Sequence, residues 1–309
     1  MTRTRNAFAR AAPSILLACL GLVGGMSIVP TVQAQSSPVP KGATVEKIAD
    51  GFEFTEGPLW YEGRLVFSDI PANTVYQWTP QEGSSIFLKP SGHANGLAVD
   101  GQGRLLLAQH DGQVGRLAAE NKIEPLAQSY QGKRLNSPND LTVADDGAIY
   151  FTDPPYGVDA ENQALDFSGV YRLDPDGSPT VLTKEFSRPN GICLSPDESI
   201  LYVNDSGENI IRAYDVTDDG GITNGRQFAT LEGEEPGNTD GMKVDAKGNL
   251  YTTGPGGIWI YAPSGERIDR ISVPEAPTNV AFGGPERKTL FITAQADVYR
   301  IPLTVTGAE

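Results

Sequence analysis

Six oxygen-bearing side chains stand at matching places in six similar segments of the chain. They are Glu56 in TEGPLWYEGRLVFSD (55–69), Asn95 in ANGLAVDGQGRLLLAQH (94–110), Asn139 in PNDLTVADDGAIYFTD (138–153), Asn190 in PNGICLSPDESILYVND (189–205), Asp240 in TDGMKVDAKGNLYTT (239–253) and Asn279 in TNVAFGGPERKTLFIT (278–293). Each precedes a hydrophobic strand, a tight turn and a second hydrophobic strand. None of the six is His or Cys, so the set offers only hard oxygen donors. Glu56, Asn139, Asn190 and Asp240 together suit a divalent cation, Ca²⁺ first, with Mg²⁺ and Mn²⁺ behind it and Zn²⁺ last. Two carboxylates balance such a cation's charge; buried without one they are costly. Asn and Asp are also ordinary turn formers, but Glu56 is not, and turn chemistry does not require six such residues in step.

The elements that must position them follow from the spacing. Successive anchors lie 39, 44, 51, 50 and 39 residues apart, about 45 on average, the length of one four-stranded propeller blade. Turns such as Asp145-Asp146-Gly147 and Lys247-Gly248 join the two strands of a unit. Further strand candidates lie around residues 74–78, 169–173, 180–182 and 210–215, and no long stretch has a 3.6-residue period. The pattern predicts an all-β, six-bladed β-propeller with four-stranded blades around a central metal-binding channel. The anchors then surround one mouth of that channel. Asn95, Asn139, Asn279, His110 and Tyr156 are expected to line it and touch substrate.

Composition narrows the function. The chain has 39 acidic against 24 basic residues, net −15, which argues against nucleic acid as a partner and gives no attraction to an anionic membrane. Its 39% hydrophobic content is enough for a core, and 35 Gly with 23 Pro supply many turns. Residues 1–34 read as a secretory signal peptide: Arg3, Arg5 and Arg10, then an apolar run from Ile15 to Val29, then Val32-Gln33-Ala34 with cleavage after Ala34. A periplasmic or secreted protein with no membrane attachment is expected. Leu16-Leu17-Ala18-Cys19 loosely resembles a lipoprotein signal, but the apolar run continues well past Cys19. Without the leader's three Arg the net charge is −18, and Cys193 is the one cysteine left, so no intrachain disulfide forms. Residues 35–42 read as a flexible lead-in to a single domain, 43–309.

Several residues read as structural. Cys193, in the apolar run Ile192–Leu194, is expected in the core rather than as a nucleophile. Asp69, Asp153 and Asp205 end their hairpins and are expected to satisfy backbone N–H groups, with His110 at the corresponding place in its own unit. His93 is expected at the surface. No G-x-S-x-G elbow occurs and there are only two His, which argues against a hydrolase triad.

The same anchors carry a family resemblance. Thr55-Glu56-Gly57-Pro58, Asn136-Ser137-Pro138-Asn139-Asp140, Phe151-Thr152-Asp153-Pro154-Pro155-Tyr156-Gly157, Arg188-Pro189-Asn190-Gly191 and Asp240-Gly241-Met242 occur in this order. Over residues 44–303 the chain resembles the family of gluconolactonase, senescence marker protein and luciferin-regenerating enzyme. The resemblance implies a six-bladed propeller whose axial metal, usually Ca²⁺, is held by Glu56, Asn190 and Asp240, with Asn139 at or beside it and able to touch substrate. The animal branch has an Arg where this chain has Ser137, so that branch's substrate does not carry over; the Ser-Pro-Asn-Asp form looks like the bacterial gluconolactonase branch.

The activity expected is therefore hydrolysis of a small sugar lactone, the cation polarising the carbonyl and Asp240 taking a proton from the attacking water. Two alternatives share the site: hydrolysis of phosphotriesters or other cyclic esters, and a non-catalytic propeller in which Ca²⁺ is structural and the mouth binds a ligand. A quinone-dependent sugar dehydrogenase would need basic and His residues that this chain lacks. No oligomeric state is implied.

Overall fold

The computed structural model describes residues 36–175 and 177–308. The leader with Cys19 lies outside the described residues. Six four-stranded antiparallel sheets make six blades. Their innermost strands are Thr55–Tyr61, Ala94–Val99, Leu141–Val143, Pro189–Leu194, Met242–Val244 and Asn279–Gly283. The second strands are Arg64–Asp69, Leu105–Gln109, Ile149–Asp153, Ile200–Asp205, Leu250–Gly254 and Thr289–Ala294. Helix is confined, among the described residues, to one short 3₁₀ turn, Ala119–Asn121. The six-bladed propeller read from the anchor spacing is the fold observed.

Ring closure uses a strand from the other end of the chain. The sixth blade takes its outermost strand, Glu46–Ala49, from before the first blade, and pairs it with Asp297–Pro302. Glu46 lies opposite Arg300 and the two form an exposed ion pair at 2.9 Å. The lead-in expected to be flexible is tied down from its middle onward. Pro38 is buried, and its carbonyl accepts the Thr304 N–H (2.8 Å) and hydroxyl (3.0 Å).

The hydrophobic residues explain why blades stack into a ring. Alternate residues of a strand point to opposite faces, and both faces of a blade meet a neighbour. Along Leu105–Gln109, Leu105 and Leu107 join the cluster shared with the first blade, while Leu106 and Ala108 join the one shared with the third. Hence this strand is apolar almost throughout rather than alternating with polar residues, as expected where both faces are covered. Six such clusters fill the six gaps between blades. Stacked or edge-on aromatic pairs such as Trp60–Phe291 bridge the closing gap between the first and last blades.

Candidate active site

Five anchors converge on one cavity of about 350 Å³ at one mouth of the channel: Glu56, Asn95, Asn139, Asn190 and Asp240, with His110, Tyr156 and Arg188 also lining it. The strand geometry accounts for this. The pairing register slips between Glu56 and Leu59, between Ala94 and Leu97, and between Pro189 and Ile192. Such bulges re-aim side chains; Asn95 and Asn190 sit inside theirs, and Glu56, still opposite Ser68, stands at the edge of its own. In the third and fifth blades the regular ladder begins only after the anchor, at Leu141 and Met242.

The sixth anchor differs. Asn279 pairs regularly with Thr293 and does not line the cavity. Its Oδ1 accepts the Val280 N–H (2.8 Å), and its amide donates to Glu56 Oε2 (3.0 Å). Asn279, expected to touch substrate, instead orients Glu56. That oxygen also accepts the Gly57 N–H at 2.7 Å.

Neighbouring blades are stitched together at the ring. Ser68 donates to the Asn95 carbonyl (2.8 Å), Thr152 to that of Asn190 (2.7 Å), and the Asn204 amide to that of Asp240. The approach is close enough that Gly57 (φ +47°) leaves no room for a side chain: a Cβ there would lie 1.9 Å from the Asn95 carbonyl oxygen.

The electrostatics single out the carboxylates. Burial pushes the Glu56 carboxyl up to about 7, against hydrogen bonds from Asn279 and Gly57 that pull it down. Burial, and then the nearby Glu56 and Asp140, hold the Asp240 carboxyl well above the usual range, while the Asn190 amide works the other way. These groups are protonated at a pH where exposed carboxylates are ionised, unless a cation joins them. The donors fit a divalent ion: two carboxylates, Glu56 and Asp240, with the amide oxygens of Asn139 and Asn190 in the same lining; Asn95 Oδ1 beside them is buried with no hydrogen-bond partner, an acceptor left for a bound group. Among the described residues no group of three or more His, Cys, Asp and Glu is arranged to hold a metal, so amide oxygens must complete any such site.

A third buried carboxylate escaped the sequence reading. Asp140 is 2% exposed, its Oδ2 lacks a hydrogen-bond partner, and Lys243 Nζ lies 3.7 Å from it. Burial raises its pKa and Lys243 lowers it. A signal did exist: the other cavity anchors are followed by Gly, at 57, 96, 191 and 241, and Asn139 by an acid.

His110 lines the cavity, its Nε2 3.2 Å from the Asn95 amide nitrogen. Burial pulls its pKa down to about 4, so the ring is neutral at physiological pH. Its expected kinship with the hairpin-ending acids is corrected by the register. Gln109, opposite Ala94, takes the place that Asp69 has opposite Thr55 and Asp205 opposite Pro189. Those acids accept backbone N–H groups as expected: Asp69 from Glu53 and Phe54, Asp153 from Asn136, Asp205 from Ser187, Arg188 and Gly207. Ser137 donates to the Pro154 carbonyl (2.6 Å) and accepts the Gly157 N–H (2.8 Å), so it holds the loop carrying Tyr156. The Tyr156 hydroxyl meets that of Ser206 across the rim. Cys193 is buried with its thiol pushed up to about 12, an unreactive core residue. His93 is half-exposed and paired with Asp111 at 2.8 Å.

Comparison with known proteins gives the family. A family model described as the SMP-30/Gluconolactonase/LRE-like region matches residues 54–296, a span containing all six anchors. The chain is 38% identical to a gluconolactonase of Zymomonas mobilis, over 85% of this chain and 82% of that one. It is 27% identical to a pentonolactonase of Haloferax volcanii, over 81% and 84%. A solved structure from Xanthomonas campestris, described as a gluconolactonase, superposes with a TM-score of 0.79 at 34% identity, covering 86% of this chain and 91% of that one. With the family match across most of the chain and a relative 38% identical over most of its length, the protein belongs to the SMP-30/gluconolactonase/LRE-like family.

Proposed function

We propose that this protein is an exported, metal-dependent hydrolase of sugar lactones, glucono-1,5-lactone being the simplest substrate, working in the periplasm or outside the cell. The observation that carries the reading is the pair of buried carboxylates, Glu56 and Asp240, sharing one cavity with amide oxygens and a neutral imidazole. Similarity to proteins named as lactonases supports the reaction class.

The chain's own groups divide the work. Glu56, Asn139, Asn190 and Asp240 would hold the divalent ion, Ca²⁺ by donor type. Bound there, it would supply electrophilic polarisation of the lactone carbonyl. Glu56 Oε2 is fixed by Gly57 and Asn279, which leaves Oε1 for the cavity. Asp240 takes a proton from water as the water oxygen adds to the carbonyl carbon. The ring C–O bond then breaks, and the ring oxygen leaves as a hydroxyl carrying that proton, giving the open hydroxy acid, whose carboxyl proton is released to water. Burial and the neighbouring carboxylates raise the Asp240 carboxyl in the cation-free site, and a bound cation would pull the other way. Neutral His110 and the Asn95 amide offer hydrogen bonds to substrate hydroxyls.

The test is a panel. Purified protein lacking the leader is stripped with chelator, resupplied with Ca²⁺, Mg²⁺, Mn²⁺ or Zn²⁺, and assayed on aldonolactones, aliphatic lactones and a phosphotriester. Metal-restored opening of aldonolactones is expected. A preference for the phosphotriester would replace the substrate class, and no hydrolysis at all would leave a binding propeller. Asp240→Asn should lose at least about a hundredfold in kcat with the melting curve retained; near-normal turnover would remove Asp240 as the base.

A further inference from the structure

Twelve arginines lie among the described residues, and eleven of them have a partner. Arg64, Arg104, Arg116, Arg172, Arg212, Arg226, Arg270 and Arg300 pair with carboxylates. Arg134 and Arg287 donate to backbone carbonyls, and Arg267 stands over the Trp259 ring. Arg188 alone has its guanidinium in no hydrogen bond, ion pair or ring contact among the described residues. Arg188 is itself exposed to solvent.

That position is the rim of the active-site cavity, where Arg188 is the one cationic side chain of the lining. Its backbone is fixed from both sides. The Arg188 N–H donates to Asp205 Oδ1 (3.2 Å), and its carbonyl accepts the Ser206 N–H (3.1 Å). Arg188 precedes the anchor Asn190 by two residues and lines the same cavity as Asn190 and Asp240, exposed where Asn190 is buried. It shares the rim with Tyr156, whose exposed ring offers an apolar face.

We propose that Arg188 is the specificity-determining residue of this site: it donates hydrogen bonds to an oxygen-bearing substituent on the lactone, at the end remote from the carbonyl under attack. The substrate class is thereby narrowed to polyhydroxylated lactones, and lactones with a carboxylate at that end bind better still, since a charged acceptor roughly doubles such a bond. This inference rests on the lactonase reading above.

The test compares wild type, Arg188→Gln and Arg188→Lys on three lactones of one ring size: an aldonolactone, its counterpart with a terminal carboxylate, and an unsubstituted lactone. In Arg188→Gln the preference for the aldonolactone over the unsubstituted lactone, as a ratio of kcat/KM, should fall about tenfold, mostly through KM. The preference for the carboxylated lactone should fall further, and Arg188→Lys should recover part of that charged component only. An equal loss on all three lactones, or none on any, overturns the inference and leaves the lactonase reading standing. A wild-type protein that opens none of the three overturns both.

Discussion

Removing the cation should make the protein less stable as the pH rises, and adding it should cancel the effect. In the cation-free fold Glu56 has its carboxyl raised from 4.5 to about 7. Between these values the folded chain keeps a proton that the unfolded chain has released, so stability falls as pH climbs from about 4.5 to about 7. The full rise is worth roughly 3 kcal/mol, and Asp240, shifted the same way, adds to it. For a domain of this size, 3 kcal/mol lowers Tm by roughly 6 to 12 °C. A bound divalent ion favours the ionised carboxylates and so opposes the decline. The measurement is a set of thermal melts at pH 5, 6, 7 and 8, in chelator and in saturating Ca²⁺. The chelated Tm should drop towards pH 8, and Ca²⁺ should raise it strongly at pH 8 and little at pH 5. Asp153, which burial pushes up to about 7, contributes its own decline in both conditions. The difference between the two curves therefore isolates the ring. Glu56→Gln should flatten that difference. A Ca²⁺ effect of equal size at pH 5 and pH 8 would refute the charge argument.

Two further expectations concern the channel wall. Lys243→Met removes the cation 3.7 Å from buried Asp140 and should cost about 1–3 kcal/mol in urea melts at pH 8. Adding Asp140→Asn should recover most of that loss; if the double variant is no better, the pair is not what Lys243 provides. Gly57→Ala should cost at least about 2 kcal/mol, because its φ of +47° is unfavourable and the new Cβ would meet the Asn95 carbonyl oxygen at 1.9 Å. An unchanged denaturation midpoint would show that the first two blades can part more easily than their packing implies.

The blade count and the identity of the anchors were legible in the chain alone, because each is a local property repeated six times: a polar residue, two apolar runs and a turn about every 45 residues. The roles of individual anchors were not. Asn279 looks in the sequence like Asn95 or Asn190, but its strand pairs without a bulge, and bulges depend on how two strands meet. His110 was aligned with the hairpin-ending acids by counting along the chain; pairing register moved that role to Gln109. The closing strand Glu46–Ala49 pairs with residues some 250 positions away, beyond the reach of any local pattern. Asp140 meets Lys243 across two blades, and Arg188 is conspicuous only because every other described arginine has found a partner. Sequence determined which residue types recur and at what interval, since hydrophobic period and turn chemistry are local. Tertiary structure decided which of them face one cavity and at what charge, since burial and the separation of carboxylates exist only once the ring has closed.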